Sequence, residues 1–379
     1  MIKIIRDEGG FKAIKHDWDR FIEKNGYFAL VFLSYDWLSI WIRYFLTDDS
    51  GKKLFIITEC DDATGEIKAI APFYIERFFF FFKCLRFISD DYSDYLGILS
   101  TNKISNILKE TCGYLGAGFF DKGRIDLIYL KQVSDSLKDE INLNIDGLKN
   151  TGIFIKSSGD CYYIDMYANG ILKVEDYLKK FNSKQRYNIL KRVKNAEKKG
   201  VEYISVNAAN EKPSENFNFE YYIKEFFNLH QKRWNKRGKE GVFSSNKIKL
   251  FFQNLFEVLY KKGILDLSFL KYDDKLIAGA VCFDFKRKRQ VYLPGFDPEY
   301  SYLHPGIVLT YNNISEAILS GCKEFDFLKG SEDYKKRFLA VKRRNFKIYI
   351  YKKRIIYLLF KLNIFLKNEI IYNVKRIFR

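Results

Sequence analysis

Residues 289–338 read RQVYLPGFDPEYSYLHPGIVLTYNNISEAILSGCKEFDFLKGSEDYKKRF. This pattern predicts an apolar strand, a turn rich in Gly and Pro, a helix, a buried strand (EFDFL) and a charged loop. A helix that begins at Pro305 or Gly306 would present unpaired N–H groups and its positive dipole end to an anion. The order of the elements therefore predicts a binding site for a phosphorylated ligand, although most strand-to-helix turns bind nothing.

Two predicted β-hairpins suggest that the chain repeats one structural unit. Residues 54–76 and residues 266–285 both alternate apolar and polar side chains around an Asp-Asp turn. An amphipathic helical run precedes each hairpin, over residues 35–46 and residues 247–261. We interpret this repeat as an internal duplication. The alternative is that any two hairpins look alike.

Further segments carry a family resemblance. In the C-terminal half they are GFDPEYSYLHPG, EFDFLKG and a loop that contains Glu332, Tyr334, Lys335 and Phe338. In the N-terminal half they are Trp37, Trp41 and the run FISDDYSDYLGIL (Phe87–Leu99), followed by the basic segment Lys179–Gly200. In this order the segments resemble GNAT-type acyltransferases of the CelD-like branch, which is related to the FemAB peptidoglycan transferases. The resemblance spans most of the chain, from about Tyr27 to Lys353.

The resemblance implies an α/β (α+β) fold of two GNAT-like domains, each a mixed twisted sheet flanked by helices, plus a basic C-terminal helix. The predicted domains are residues 1–175 on the acceptor side, residues 176–350 on the acyl-CoA side, and a basic amphipathic helical tail over residues 351–379. A helix capped by Ser183 and ended by Gly200 would join the two domains.

The resemblance also implies an activity: transfer of an acetyl or other acyl group from acyl-CoA, the co-substrate, to an amine or hydroxyl of a sugar or cell-envelope polysaccharide precursor. Strand Gln290–Leu293 would lie beside the pantetheine, and the turn Tyr300–Gly306 would bind the phosphates. The usual GNAT pyrophosphate signature, Gln/Arg-x-x-Gly-x-Gly/Ala, is absent. Two alternatives therefore stay open. One is a FemAB-like transferase that uses aminoacyl-tRNA and acts on a peptidoglycan precursor, and the other is a non-catalytic membrane- or nucleic-acid-binding protein.

The candidate site residues fall into three groups. The predicted donor-binding residues are Tyr292, Gly295, Phe296, Tyr300, Pro305, Gly306, Lys329 and Lys335. The predicted catalytic residues are Asp94, Asp326, Glu332 and Tyr334. The predicted acceptor-binding residues are Asp91, Tyr92, Tyr95, Lys184 and Arg186.

Asp94 is the preferred general base, because clustered carboxylates such as Asp91 and Asp94 raise one another's pKa. A raised pKa suits a group that accepts a proton from an ammonium. The alternative is a capped turn whose tyrosines pack. Asp326 could likewise be a buried hydrogen-bonding partner, and Lys184 and Arg186 could either clamp phosphates or form a solvated helix face.

The net charge of +18 is concentrated at the C-terminus. Residues 335–379 contain fifteen Lys and Arg and one acidic residue, a net +14. Apolar residues recur there at helical spacing, which predicts a basic amphipathic helix. Such a helix could make peripheral contact with an anionic membrane, or it could cover the protein's own core.

Other sequence signals restrict the class of protein. The six Cys and three His show no metal-ligand or redox spacing, so we expect reduced core cysteines and no metal. The N-terminus lacks the apolar segment of a signal peptide, so the predicted location is cytoplasmic. Nucleic acid is not an expected partner. The run Phe78–Phe82 is interpreted as a buried or edge strand, with contact to lipid or a partner as the alternative.

Overall fold

A computed structural model of the chain describes residues 1–25, 30–79, 81–116, 124–145, 148, 150–208 and 218–377, with side chains up to Leu366. The chain forms two compact units. Unit 1 comprises Met1–Gly159 and Arg344–Arg379, and unit 2 comprises Asp160–Arg343.

Unit 1 contains short helices and a mixed sheet. Its strands are β1 (Ile2–Ile5), β2 (Lys52–Cys60), β3 (Ile67–Phe78), β4 (Phe82–Phe87), β5 (Leu99–Ser100) and β6 (Leu127–Ser134). Its helices are α1 (Glu8–Ala13), α2 (Lys15–Lys24), α3 (Tyr35–Phe45), α4 (Ser105–Gly113), α5 (Asp135–Ile145) and α12 (Arg354–Ile377). Two further strands, β7 (Gly152–Asp165) and β13 (Val341–Tyr351), each cross a unit boundary along the chain.

Unit 2 has longer helices around its own strands. The strands are β8 (Glu202–Asn207), β9 (Leu265–Tyr272), β10 (Lys275–Phe285), β11 (Lys288–Phe296) and β12 (Glu324–Lys329). The helices are α6 (Val174–Lys179), α7 (Ser183–Lys198), α8 (Phe219–Asn235), α9 (Asn246–Lys261), α10 (Pro305–Leu319) and α11 (Asp333–Arg337). A 3₁₀ turn, Pro298–Leu303, precedes α10.

The two units repeat one strand order. In unit 1 the order is β1-β2-β3-β4-β6-β13, with β5 beside β3, and the only parallel neighbours among the described strands are β4 and β6. In unit 2 the order is β8-β9-β10-β11-β12-β7, and among the described strands of this unit only β11 and β12 run parallel. The single parallel pair therefore occupies the same place in both sheets, as an internal duplication would produce.

Both predicted hairpins form, and local chemistry explains their turns. Asp273 and Asp274 adopt positive φ angles of 50° and 56° between β9 and β10, a conformation that short polar side chains tolerate. Between β2 and β3, the side chain of Asp61 accepts hydrogen bonds from the amides of Ala63 and Thr64 at 2.9 and 2.8 Å. The helices predicted before each hairpin are α3 and α9.

One predicted cap is wrong. The N-cap of α7 is Asn182, whose side chain accepts a hydrogen bond from the amide of Gln185 at 2.8 Å. Ser183 is the first residue of the helix instead. Both residue types cap well, and the chain places the asparagine where its oxygen reaches the first turn.

The C-terminal helix α12 covers part of the core of unit 1. Ile356, Tyr357 and Phe360 are buried in a cluster with Phe78, Tyr129 and Tyr349 from the sheet. No helix among the described residues is long and apolar enough to cross a membrane.

Candidate functional site

Strands β11 and β12 pair only at their beginnings. The parallel pairs run from Lys288↔Glu324 to Gln290↔Asp326, and the described strands make no further pair. β11 continues to Phe296, hydrogen-bonded on its other side to β10. A gap therefore opens between β11 and β12 towards their carboxyl ends, which is where open α/β sheets bind ligands.

A cavity of about 310 Å³ occupies this gap. Residues from seven parts of unit 2 line it: Ala280 of β10, Val291, Pro294, Gly295 and Phe296 of β11, Phe325 and Phe327 of β12, Pro305, Gly306, Ile307, Leu309, Thr310 and Asn313 of α10, Arg233 and Arg237 at and just after the end of α8, Ser301 and His304 of the turn before α10, and Tyr334 of α11. The walls are mostly apolar, and the cationic and hydroxyl groups are few. This composition is typical of a pocket that orients a ligand through a small number of polar contacts.

The N-terminus of α10 opens onto the cavity. Pro305 is the first helical residue, and the carbonyl of His304 accepts hydrogen bonds from the amides of Ile307 and Val308 at 2.9 and 3.2 Å. The amide of Gly306 has no hydrogen-bond partner among the described residues. A Cβ added at Gly306 would meet nothing within 4 Å. An anion could therefore approach this backbone closely.

Helix α8 approaches β11 at Gly295. A Cβ at this position would lie 2.6 Å from the backbone nitrogen of His230, so only glycine allows the two elements to touch. The Arg233 guanidinium donates a hydrogen bond to the carbonyl of Pro294 at 2.7 Å and lies over the ring of Phe296. Burial lowers the pKa of Arg233, which still carries a positive charge at the cavity wall.

Tyr334 contributes a protonated phenol to the cavity. Burial, with the Glu332 carboxylate as a second cause, raises the pKa of Tyr334 to about 12. Burial alone would raise the pKa of Glu332 as well, but Lys335 outweighs it and holds that pKa below its usual value. At neutral pH the pair therefore consists of a hydrogen-bond donor, Tyr334, beside an ionised carboxylate, Glu332.

Lys335 and Asp326 hold the loop that carries Tyr334. The three N–H groups of the buried Lys335 ammonium are shared among four backbone carbonyls, of Phe327, Leu328, Lys329 and Gly330, at 3.1–3.3 Å, and Glu332 at 3.0 Å. Asp326 accepts a hydrogen bond from the amide of Leu328 at 2.7 Å and lies 3.5 Å from Arg343. Neither side chain lines the cavity, which fits a positioning role.

The other predicted donor-binding residues fall into two groups. Gly295, Phe296, Pro305 and Gly306 line the cavity, whereas Tyr292, Tyr300 and Lys329 do not. The Tyr292 ring packs against Phe252 and Phe283, and the Tyr300 ring packs near Tyr272 and Tyr302. Lys329 is exposed at the end of β12.

The predicted acceptor residues of the N-terminal half belong to unit 1. The carbonyl of Asp94 accepts a hydrogen bond from Asn345, Tyr92 stacks on Phe45, and Tyr95 is buried.

The argument from clustered carboxylates does not hold for Asp91. Burial tends to raise the Asp91 pKa, but Arg86 and Lys131 more than offset this effect and lower it. The distances from Asp91 to these two cations are 3.4 and 2.5 Å. The neighbouring cations therefore decide the charge of this carboxyl.

A second, basic cavity of about 290 Å³ lies beside the first in unit 2. Its walls are Asn188, Lys191, Arg192, Asn195, Ala196 and Lys199 from α7 and its end, together with Tyr302, Leu303 and His304. His304 lines both cavities. The predicted residues Lys184 and Arg186 lie one to two turns earlier on α7.

Sequence reasoning missed Arg233, Arg237 and His304. The two arginines are four residues apart at the end of a helix, where basic residues are common because they complement the helix dipole. His304 adopts a left-handed conformation with φ 52°. The single available signal was its position directly before Pro305.

Comparisons with known proteins bear on the fold of the chain. Residues 183–336 match the family model described as an acetyltransferase (GNAT) domain. No curated protein matches the chain in sequence. Among solved structures, FemX is similar over 88% of this chain and 95% of its own, with a TM-score of 0.61 and 12% identity.

Two further structures are similar over nearly the whole chain. The C-terminal domain of a putative lysylphosphatidylglycerol synthetase from Agrobacterium fabrum has a TM-score of 0.54 and 9% identity, covering 94% of this chain and 96% of its own. L-PGS from Bacillus licheniformis has a TM-score of 0.54 and 12% identity, covering 93% and 96%. Identities this low establish the fold alone. The protein therefore has a GNAT-type fold, and the residues that match the acetyltransferase (GNAT) domain include all of those that line the cavity between β11 and β12.

Proposed function

We propose that the protein is an acyl-CoA-dependent N- or O-acyltransferase of the CelD-like branch. The observation that carries the proposal is the cavity in the gap between β11 and β12, closed at one end by the N-terminus of α10. Beyond Gln290, the described residues of β11 make no pair with β12 and would offer backbone groups on this edge to the pantetheine amides. The Gly306 amide, the helix dipole and the cations of the cavity would bind the phosphates.

The chemistry requires no covalent enzyme intermediate. An acceptor amine or hydroxyl attacks the thioester carbon, and the C–S bond breaks to release the thiol of CoA. The Tyr334 phenol, protonated at neutral pH, would donate its proton to the departing sulfur. Asp94 is the proposed base on the acceptor side, with Glu332 as the second candidate. Asp326 would hold the loop rather than move a proton.

The proposed acceptor is a sugar or cell-envelope polysaccharide precursor, handled on the cytoplasmic side of the membrane. This part of the proposal rests on the family resemblance. One structure of the same fold belongs to a putative lysylphosphatidylglycerol synthetase, a protein named for a membrane lipid.

A FemAB-like transfer from aminoacyl-tRNA is the second candidate. The basic cavity along α7 favours it, because Lys191, Arg192 and Lys199 present three cations to one concave surface. Cationic grooves of this kind bind phosphate backbones as well as single phosphates. The two candidates differ in which donor enters the cavity between β11 and β12.

Titration calorimetry with acetyl-CoA tests the proposal. We expect saturable binding, weakened at least about tenfold by Gly306→Glu, because the new carboxylate would face the phosphates. Gly113→Glu is the matched control: it adds the same charge in unit 1, also at a glycine where a Cβ meets nothing within 4 Å. Its affinity should equal that of the wild type.

Two outcomes would contradict the proposal. If neither acetyl-CoA nor a longer acyl-CoA binds, the cavity does not take this donor. If acetyl-CoA binds and a folded Gly306→Glu variant binds it equally well, the phosphates lie elsewhere. Binding of an aminoacyl-tRNA in place of acyl-CoA would favour the second candidate.

A further inference from the structure

Helix α12 has two apolar faces and buries only one of them. Ile356, Tyr357 and Phe360 pack into unit 1. The opposite face is exposed and carries five large apolar side chains at helical spacing: Ile355, Leu358, Leu362, Phe365 and Leu366. A stripe of this length left in water is a typical mark of an interaction surface.

The turn between β3 and β4 adds a second apolar element beside the helix. Phe81 at this turn is 83% exposed, the highest value for a large apolar side chain among the described residues. Its neighbours Phe79 and Phe82 pack against the cluster to which α12 contributes Phe360. The residues on both sides of Phe81 and the buried face of α12 therefore meet in one cluster of unit 1.

Cations lie next to this turn and along the helix. Arg77 and Lys83 form a cross-strand pair beside the turn, and with Arg6 and Lys53 they line a cavity of about 330 Å³ on the sheet face opposite α12. Lys352, Lys353, Arg354 and Lys361 are exposed at and along α12. The lining of this cavity contains no acidic residue among those the structure describes. The part of unit 1 from Arg344 onward contains ten Lys and Arg and one acidic residue, a net +9.

We propose that the Phe81 turn and the outer face of α12 form one docking surface for an anionic lipid bilayer. Apolar side chains that enter the boundary between headgroups and acyl chains, flanked by Lys and Arg, are what an interfacial surface requires. The charge argues against a second copy of this chain as the occupant, because two such surfaces would repel each other. The inference does not depend on acyl transfer, since this surface belongs to unit 1 and the donor cavity to unit 2.

Co-sedimentation of the full-length protein with vesicles tests the proposal. We expect binding to mixed phosphatidylcholine and phosphatidylglycerol vesicles, little binding to phosphatidylcholine alone, and release as salt rises. Lys361→Glu, at an exposed position on α12 next to Leu362, should weaken binding about fivefold or more, because each cation near the surface contributes a comparable factor. Lys103→Glu, an equal charge reversal at an exposed lysine of unit 1, should weaken it less.

The apolar contribution is tested by the double variant Phe81→Ser/Leu362→Ser. It should lose binding at least about tenfold, whereas Leu143→Ser, at an exposed leucine on α5, should not. Deletion of α12 is a poor test, because it would uncover the buried residues of the helix. Thermal melts and acetyl-CoA titration of each variant verify that both units are intact.

Equal binding of the wild type to both vesicle types, or full binding by the double variant, would overturn the proposal. Failure to bind any vesicle, together with dimerisation that the double variant abolishes, would show that the surface takes a second copy instead. Either result would leave the acetyl-CoA titration unaffected, so the two proposals fail independently.

Discussion

The surroundings of Tyr334 in the cavity keep its hydroxyl protonated. Burial and Glu332 both act against the phenolate, so the hydroxyl keeps its proton at neutral pH. The loop that carries it is fixed by Lys335, whose ammonium donates to the backbone carbonyls around it. Burial of the Lys335 ammonium removes its hydration, which costs free energy. The carbonyls that it contacts offset this cost, and the same contacts fix the position of the Tyr334 phenol.

We expect Tyr334→Phe to lower kcat by about a hundredfold, the lower end of what a general acid contributes. The substitution removes one hydroxyl and keeps the ring, so the affinity for acetyl-CoA should remain within about twofold of the wild type. Turnover is measured as thiol release from acetyl-CoA with an amino sugar as acceptor. Tyr292→Phe is the control, because Tyr292 lies on β11, a strand that lines the cavity, but its side chain packs away from the cavity. A kcat within a few-fold of the wild type would show that another group protonates the thiolate.

His230 makes the stability of unit 2 depend on pH. Its Nε2 accepts a hydrogen bond from the Trp234 indole at 2.9 Å, and its Nδ1 is buried without a partner among the described residues. Burial, assisted by Arg233, lowers the His230 pKa from 6.5 to about 4. The unfolded chain therefore binds a proton at a pH at which the folded protein does not.

Acid therefore lowers the stability of unit 2 through His230. The stabilising contribution of neutral His230 is complete above pH 6.5 and is lost as the pH falls towards about 4. The shift corresponds to roughly 3 kcal/mol of the free energy of unfolding. We expect His230→Gln to reduce this loss in urea titrations at pH 7 and pH 4.5, and His16→Gln, at an exposed histidine, to leave it unchanged. Identical pH slopes for the wild type and His230→Gln would contradict the assignment.

At the level of secondary-structure elements, the contact between β11 and α8 determines the shape of the cavity. Gly295 lets the helix backbone come close, and this contact places Arg233 and Arg237 at the cavity wall. We expect Gly295→Ala to destabilise the protein by about 1–3 kcal/mol, the usual cost of overpacking, and to weaken acetyl-CoA binding. Gly113→Ala, where a Cβ meets nothing within 4 Å, is the control in chemical denaturation. An unchanged midpoint for Gly295→Ala would show that the helix moves aside freely.

Local patterns predicted these elements well. Alternation and Asp-Asp turns gave both hairpins, and the Pro-Gly pair gave the start of α10, because short-range sterics and hydrogen bonds decide such features. The sequence could not reveal that β11 and β12 separate after Gln290, since that depends on pairing between strands distant in the chain. For the same reason it missed Arg233, whose role comes from the contact at Gly295. The helix cap at Asn182 was missed by one residue, within the usual uncertainty of helix ends.

At the scale of the whole molecule, the repeat of one structural unit was predicted, but the exchange of the last strands was not. The sixth strand of the unit 1 sheet is β13, and that of unit 2 is β7. A duplicated sequence read from end to end suggests two consecutive domains, whereas unit 1 closes only with residues from Arg344 onward. Hydrophobic alternation fixes which residues form a strand and does not identify the sheet that the strand joins.

The late arrival of β13 has a consequence for biosynthesis. The nascent chain cannot complete the sheet of unit 1 until the ribosome has made all of unit 2, which takes roughly ten to forty seconds at about 5–20 residues per second. During that interval β6 has an open edge where β13 will pair. The N-terminal half therefore stays partly assembled until the last tenth of the polypeptide is made, and chaperones that shield unpaired strand edges would have their longest opportunity there.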